Sequence, residues 1–245
     1  MKTDDFGNRM KKYENVWRFS LPERLPLIVR IDGCHFHTFT KDMDKPFDQI
    51  LIDAFWETCQ YLAQNIMGCK LVYHQSDEIS LLLTNYDSLQ AQSWFGNNLQ
   101  KIVSVAASLA TAKFNEIIHL HYTHKPLAAF DARAWVLPHE EVNNYFLWRQ
   151  QDAAKNSVSM AAYAYFKHKE LHGLGNSELQ EKLFQEKGIN WDKYPTWQKR
   201  GACIVNVEYT KGQALRRKWV VDEEIPLFSK DRNYVERFVY LQKDA

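Results

Sequence analysis

The chain lacks the marks of a secreted, membrane-bound or disulfide-built protein. Its four cysteines, Cys34, Cys59, Cys69 and Cys203, form no C-x-x-C pair and no framework spacing, so reduced thiols are expected. No stretch approaches the roughly 20 apolar residues that span a bilayer. The opening segment MKTDDFGNRMKKYENVWRF is charged throughout and has no apolar signal core. A cytoplasmic protein without membrane contact is the expectation. Net charge is nearly absent too, +1 at pH 7 over 245 residues. A nucleic-acid partner would therefore have to be attracted by local patches, not by the overall field. There is no internal repeat and no low-complexity linker. What is present is a globular composition, 45% hydrophobic and 25% charged, with 14% aromatic residues to fill a core or stack on bases.

Periodicity gives the elements. DFGNRMKKYENVW predicts a short polar helix leading to a strand near residues 25–32. In QILIDAFWETCQYLAQNI, Ile50, Leu51, Ala54, Phe55, Tyr61 and Leu62 recur at roughly helical spacing, and Gly68 is expected to stop the helix. The apolar runs 69–75 and 79–84, joined through SDE, predict a hairpin. A long helix is expected from about Leu89 to Ile118, a strand in PLAAFDARAWVL, and a helix over 139–170 with a break near Asn156 and Ser157. Ser177 with Gln180 suggests a capping box. GACIVNVEYT and LRRKWVVDEEI alternate as a solvent-facing hairpin would. The order predicts an α+β fold, an antiparallel sheet with helices on one face. Residues 1–140 would form the core, and 141–245 a helical and hairpin extension packed on it.

Two acids stand where core strands end. LPLIVR runs into Asp32-Gly33, and the hairpin turns at Asp77-Glu78. Buried carboxylates cost several kcal/mol unless paired or metal-bound. Mg²⁺ takes oxygen ligands, commonly one or two carboxylates plus substrate phosphates, and two such ions serve phosphoryl displacement. Asp32 and Asp77, flanked by Gly33 and Glu78, are thus candidates for a phosphoryl-transfer metal site, although Asp-Gly is also an ordinary turn dipeptide. After Gly33, the backbone of CHFHTF could cradle a triphosphate. Lys45 and Lys101 could add charge to it.

The segments VRIDGCHFHTF, DKPFD, HQSDEISLLL, FDARAWVLP and YFLWRQQDA occur in the order and spacing of the tRNA-His guanylyltransferase superfamily, which the chain resembles over roughly residues 25–165. The resemblance implies a polymerase palm-like sheet that adds nucleotides at the 5′ end of tRNA in the 3′-to-5′ direction. ATP or GTP would activate the 5′ phosphate, and the 3′-hydroxyl of an incoming nucleoside triphosphate would attack it. It further implies two or more Mg²⁺ ions on Asp32, Asp77 and the Gly33 carbonyl, with Glu78 as an accompanying catalytic acid. Asp32, Gly33, Cys34, His35, Phe36, His37, Lys45, Ser76, Asp77 and Lys101 would hold the nucleotide. Arg133 matches a Phe-Asp-Gly-Arg position in which Ala132 replaces glycine. Of the eukaryotic HINNLYN stretch only Asn156 remains, which resembles the bacterial and archaeal branch, where addition is templated and repairs truncated tRNAs. A homotetramer is also implied.

Other segments have plainer readings. HLHYTH (His119, His121, His124) has no cysteine or carboxylate close in sequence and reads as a polar helix end, not a zinc site. His35 and His37 are expected to structure the nucleotide loop. Lys167, Lys199, Arg200, Arg216 and Arg217, in three basic clusters, join Arg133 and Asn156 as candidate tRNA contacts. Trp135, Trp148, Trp191, Trp197 and Trp219 read as core or interface residues. Three alternatives stay open: non-templated guanylyl addition to tRNA-His, a palm-type nucleotide cyclase, and a non-catalytic RNA-binding protein.

Overall fold

The run after Pro26 becomes a strand because both of its faces can be buried. Leu27, Val29 and Ile31 enter one apolar core while Ile28 enters another. The computed structural model describes residues 5–212 and 214–240. In chain order the elements are α1 (Asp5–Asn15), β1 (Leu27–Gly33), α2 (Phe36–Phe39), α3 (Gln49–Asn65), β2 (Cys69–Gln75), β3 (Glu78–Leu83), α4 (Leu99–Ile118) and β4 (Phe130–Val136). There follow α5 (Val142–Tyr165), α6 (His168–Leu171), α7 (Asn176–Lys187), α8 (Thr196–Arg200), β5 (Ala202–Lys211), β6 (Ala214–Asp222) and α9 (Asn233–Glu236).

The strands form one sheet in the order β4-β1-β3-β2-β5-β6, antiparallel at every pairing. Helices α3 and α4 cover one face through Phe55, Leu62, Ile102 and Phe114. The other face carries α5 and α9 through Val142, Phe146 and Val235. Helices on one face only were expected. β3, buried at all six positions, shows why both are needed: an apolar residue of either parity must find cover. The C-terminal third contributes β5 to the same sheet, where it pairs with β2. No helix among the described residues is long and apolar enough to cross a membrane.

Four boundaries differ from expectation, each for a local reason. α4 begins ten residues late, because Asn97 is left-handed (φ 54°) and the Asn98 side chain caps the helix by accepting from Lys101 N at 3.0 Å. α5 is unbroken at Asn156-Ser157; Ser157 is buried and its Oγ accepts from Trp191 Nε1 at 2.9 Å. α7 is capped not by Ser177 and Gln180 but by Glu178, whose Oε2 accepts from Gly175 N at 2.7 Å. Gly68 lies beyond the end of α3, and its left-handed turn lets β2 start where a Cβ would meet the Thr84 carbonyl at 2.5 Å.

Candidate nucleotidyltransferase site

Register brings the two acids together. Asp32 on β1 stands opposite Glu78 on β3, so the hairpin tip that carries Asp77 lies beside Gly33. Gly33 N donates to the Asp77 carbonyl at 3.1 Å, and Ser76 Oγ donates to Asp77 Oδ1 at the same distance. Burial pushes the Asp77 carboxyl above the usual range, and the charge of Asp32 adds to the rise. Two carboxylates so placed are an oxygen-donor set suited to a hard divalent ion. Among the described residues no group of three His, Cys, Asp or Glu side chains converges as a metal cage. The residues that could serve as donors are the two carboxylates, with the Gly33 carbonyl beside them.

Glu78 has other commitments. Its two oxygens accept from Arg149 Nε and Nη2, both at 2.7 Å, and its Oε2 lies 4.0 Å from Arg30 Nε. Burial pushes the Glu78 carboxyl up while Arg149 opposes the rise. Expected among the catalytic acids, Glu78 is occupied by its guanidinium partner. Arg149 also reaches Asp152 Oδ2 at 3.0 Å and lies over the Trp148 ring at 4.5 Å. Trp148 is half exposed and Trp17 more so, whereas Trp56, Trp94, Trp135, Trp191, Trp197 and Trp219 each pack within or against a core cluster.

A cleft of about 580 Å³ opens beside Asp77, lined by Gly33, His35, His37, Lys45, Ser76, Asp77 and, from α5, Asn156; Asp32 adjoins it through Gly33 without lining it. Its wall begins with a left-handed His35 (φ 58°), after which α2 starts. The amides of His35, Phe36 and His37 have no hydrogen-bond acceptor among the described residues. This is the arrangement of an anion nest. The side chain of Phe36 belongs to the core instead, its ring 5.1–5.7 Å from those of Phe39, Phe55, Phe114 and Phe130. What Phe36 offers the cleft is backbone. It also explains Gly33, since a Cβ there would lie 2.2 Å from the Phe36 ring. Cys34 is half-buried, with its amide donating to Ala129 O at 2.8 Å.

Residues 40–48 run along the cleft as a strap that is tied down from elsewhere. Asp48 accepts from Leu51 N and Asp44 N, and from the Tyr122 hydroxyl. Buried Lys125 pairs with Asp42 and donates to the Phe39 carbonyl. His119 Nε2 lies 3.1 Å from the Lys125 carbonyl, and His124 3.5 Å from Asp42, so HLHYTH serves as an anchor for this strap. Lys45 is exposed over the cleft and donates to Thr40 O at 2.9 Å. Deeper in, His74 is buried, stacked on Phe55 at 4.8 Å, with a pKa pushed down by desolvation to about 4.

Lys101 is not brought to the cleft. It sits at the start of α4, over the Phe95 ring, whereas the end of α4 nearest the site is marked by Asn115, bonded to Ala128. Fourteen residues of helix separate the two, about 21 Å. The tRNA candidates are dispersed. Arg133 is exposed on edge strand β4, 3.6 Å from Asp131. Lys167 is exposed before α6. Lys199 donates to Asp192 O, and the Arg200 carbonyl accepts from Tyr73. Arg216 and Arg217 are exposed on the β5–β6 hairpin, where Arg217 pairs with Glu208 at 2.7 Å. Only Asn156 reaches the cleft. Sequence reasoning missed Arg149, His74, Tyr122 and Lys125, although each lies within or next to a motif it had marked.

An antiparallel sheet of this kind, with helices packed on it and acids at the mouth of a cleft, is the frame of a nucleotidyltransferase. Residues 7–138 match the family described as tRNAHis guanylyltransferase, and the chain belongs to that family. A bacterial tRNA(His) guanylyltransferase-like protein solved in complex with ATP superposes with a TM-score of 0.92 at 64% identity, covering 97% of this chain and 100% of that one. A bacterial tRNA(His) guanylyltransferase-like protein in complex with GTP gives 0.83 at 60% identity, with the same coverage. The tRNA(His) guanylyltransferase of Candida glabrata is 31% identical over 89% of this chain and 97% of its own length.

Proposed function

We propose that the chain carries out template-dependent 3′-to-5′ nucleotide addition at the 5′ end of tRNA, with ATP and GTP as substrates and Mg²⁺ as the metal. The observation that carries this reading is the juxtaposition of Asp32 with Asp77 beside a nucleotide-sized cleft. In the first step an oxygen of the tRNA 5′ monophosphate attacks the α-phosphate of ATP, and pyrophosphate leaves. In the second, the 3′-hydroxyl of the incoming nucleoside triphosphate attacks the activated 5′ phosphate, and AMP leaves. Asp32, Asp77 and the Gly33 carbonyl would hold Mg²⁺, which supplies Lewis-acid polarisation of the phosphate and a more acidic attacking hydroxyl. The free amides at His35, Phe36 and His37, with Lys45, would cradle a triphosphate, and Asn156 would approach from α5. Glu78 acts through Arg149, as the brace between α5 and the sheet.

Residues 141–245 are read as an extension of the same unit, supported by the β5–β2 pairing. Template pairing fits a chain whose Asn156 stands alone from the eukaryotic motif. Membership of a tRNA-processing family supports a cytoplasmic setting. A homotetramer would cover α1, which buries none of its residues and exposes Phe6 and Tyr13. The deciding assay supplies a 5′-truncated, 5′-monophosphorylated tRNA, ATP, Mg²⁺ and labelled GTP. Extension opposite a template cytosine is expected, and Asp32→Ala and Asp77→Ala should each abolish it. Equal incorporation of all four nucleotides opposite one template base would refute templating. Activity surviving in both variants would refute the site.

A further inference from the structure

The turn that carries Asp77 is held from within the core. His74 is fixed twice: its backbone pairs with Ala202 of β5, and its ring stacks on Phe55 at 4.8 Å with an interplanar angle of 24°. Gly201 closes the fit, since a Cβ there would fall 2.5 Å from the His74 carbonyl. From this fixed position Nε2 lies 2.9 Å from the Ser76 carbonyl oxygen. A carbonyl only accepts, so Nε2 carries the proton. Ser76 needs such a hold, because it is left-handed (φ 53°) without being glycine, a conformation that an L residue adopts at a cost. Were Ser76 to relax, the Asp77 carbonyl would leave the Gly33 amide and the carboxylate would swing away from Asp32.

We infer that His74 is a positioning residue: by donating from Nε2 to the Ser76 carbonyl it locks the left-handed turn and aims Asp77 at Asp32. This deepens the metal-site reading and rests on it for its functional consequence, though not for the geometry. It gives the reaction a determinant outside the paired acids, three residues ahead in the chain and buried behind them.

Two variants test the hydrogen bond. His74→Phe keeps a ring on Phe55 but has no donor, and His74→Gln returns an N–H at similar reach. Amide exchange at Gly33 in the metal-free protein reports the turn. Mn²⁺ binding, followed by loss of its free EPR signal, reports the acids. In His74→Phe the Gly33 amide should exchange at least about tenfold faster and Mn²⁺ affinity should fall about 10- to 100-fold, the usual effect of losing an outer-shell partner. The thermal midpoint should change by much less than in a core truncation, and His74→Gln should recover both signals. Unchanged Gly33 exchange in His74→Phe, or equal loss in both variants, would overturn the inference. If His74→Phe does not fold, His74→Asn takes its place, its amide too short to reach Ser76 and Gly33 therefore unprotected. Mn²⁺ binding unaffected by Asp32→Asn would refute the metal reading instead, and Gly33 exchange would still decide for or against His74.

Discussion

Arg149 grips Glu78 through two hydrogen bonds of 2.7 Å, and both side chains are 7% exposed. The pair joins the middle of α5 to the strand that follows the Ser76-Asp77 turn. Removing one partner strands the other's charge in a dry place. Arg149→Met should therefore destabilise the protein by about 3–5 kcal/mol, read as a lower urea midpoint. Adding Glu78→Gln to that variant should recover part of the loss, because the carboxylate is then neutral.

Gly33→Ala places a methyl group against a ring that four other aromatics hold in position. Overpacking of this sort costs about 1–3 kcal/mol. Thermal unfolding should show that loss, and nucleotide addition should fall with it. Phe36→Leu in the same chain should return part of the stability.

The buried imidazole of His74 makes stability depend on acid pH. Its folded pKa of about 4 lies below the ordinary 6.5, so the folded state disfavours the proton. The stability this represents is complete above pH 6.5 and is lost as pH falls towards 4, up to about 3 kcal/mol. Urea titrations at pH 7 and 4.5 should show a larger decline for wild type than for His74→Phe.

Tyr122 and Lys125 touch the strap from outside the cleft. Tyr122→Phe removes one hydrogen bond from Asp48, worth about 1 kcal/mol, and Lys125→Met releases Asp42. Steady-state kinetics should show KM for the nucleoside triphosphate rising more than kcat falls. The reverse split would place these residues in the chemical step.

On the β5–β6 hairpin, Arg216 and Arg217 differ in availability. Arg217 is already paired with Glu208, so Arg216→Ala should weaken tRNA binding more than Arg217→Ala. If Arg216 meets a phosphate, its loss should lower the salt-dependence slope by about one. Binding measured at two or more salt concentrations checks this.

Much of the sheet and the position of both acids were legible because β1 and β2 are apolar runs that end abruptly at Asp32-Gly33 and Ser76-Asp77, and β3 is an apolar run that starts directly after. Cys69–Gln75 and Glu78–Leu83 matched the expected hairpin almost residue for residue. What escaped depended on distance in the chain. Nothing near Glu78 announces that Arg149, 71 residues on, will take both of its oxygens. Tyr122 and Lys125 looked like a polar helix end because their partners, Asp48 and Asp42, precede them by more than 70 residues. Phe36 read as part of the nucleotide loop because its neighbours are polar, yet its ring turned inwards. Lys101 lies away from the cleft, which was not legible because composition marks a charge and says nothing of which helix end meets it.

That inward ring has a thermodynamic corollary. With Phe36 wedged among aromatics and His35 already left-handed, the segment that would receive phosphates loses its freedom when the chain folds, not when a ligand arrives. Nucleotide association should then proceed with little rearrangement of residues 33–39, leaving binding energy for orientation of the reacting groups.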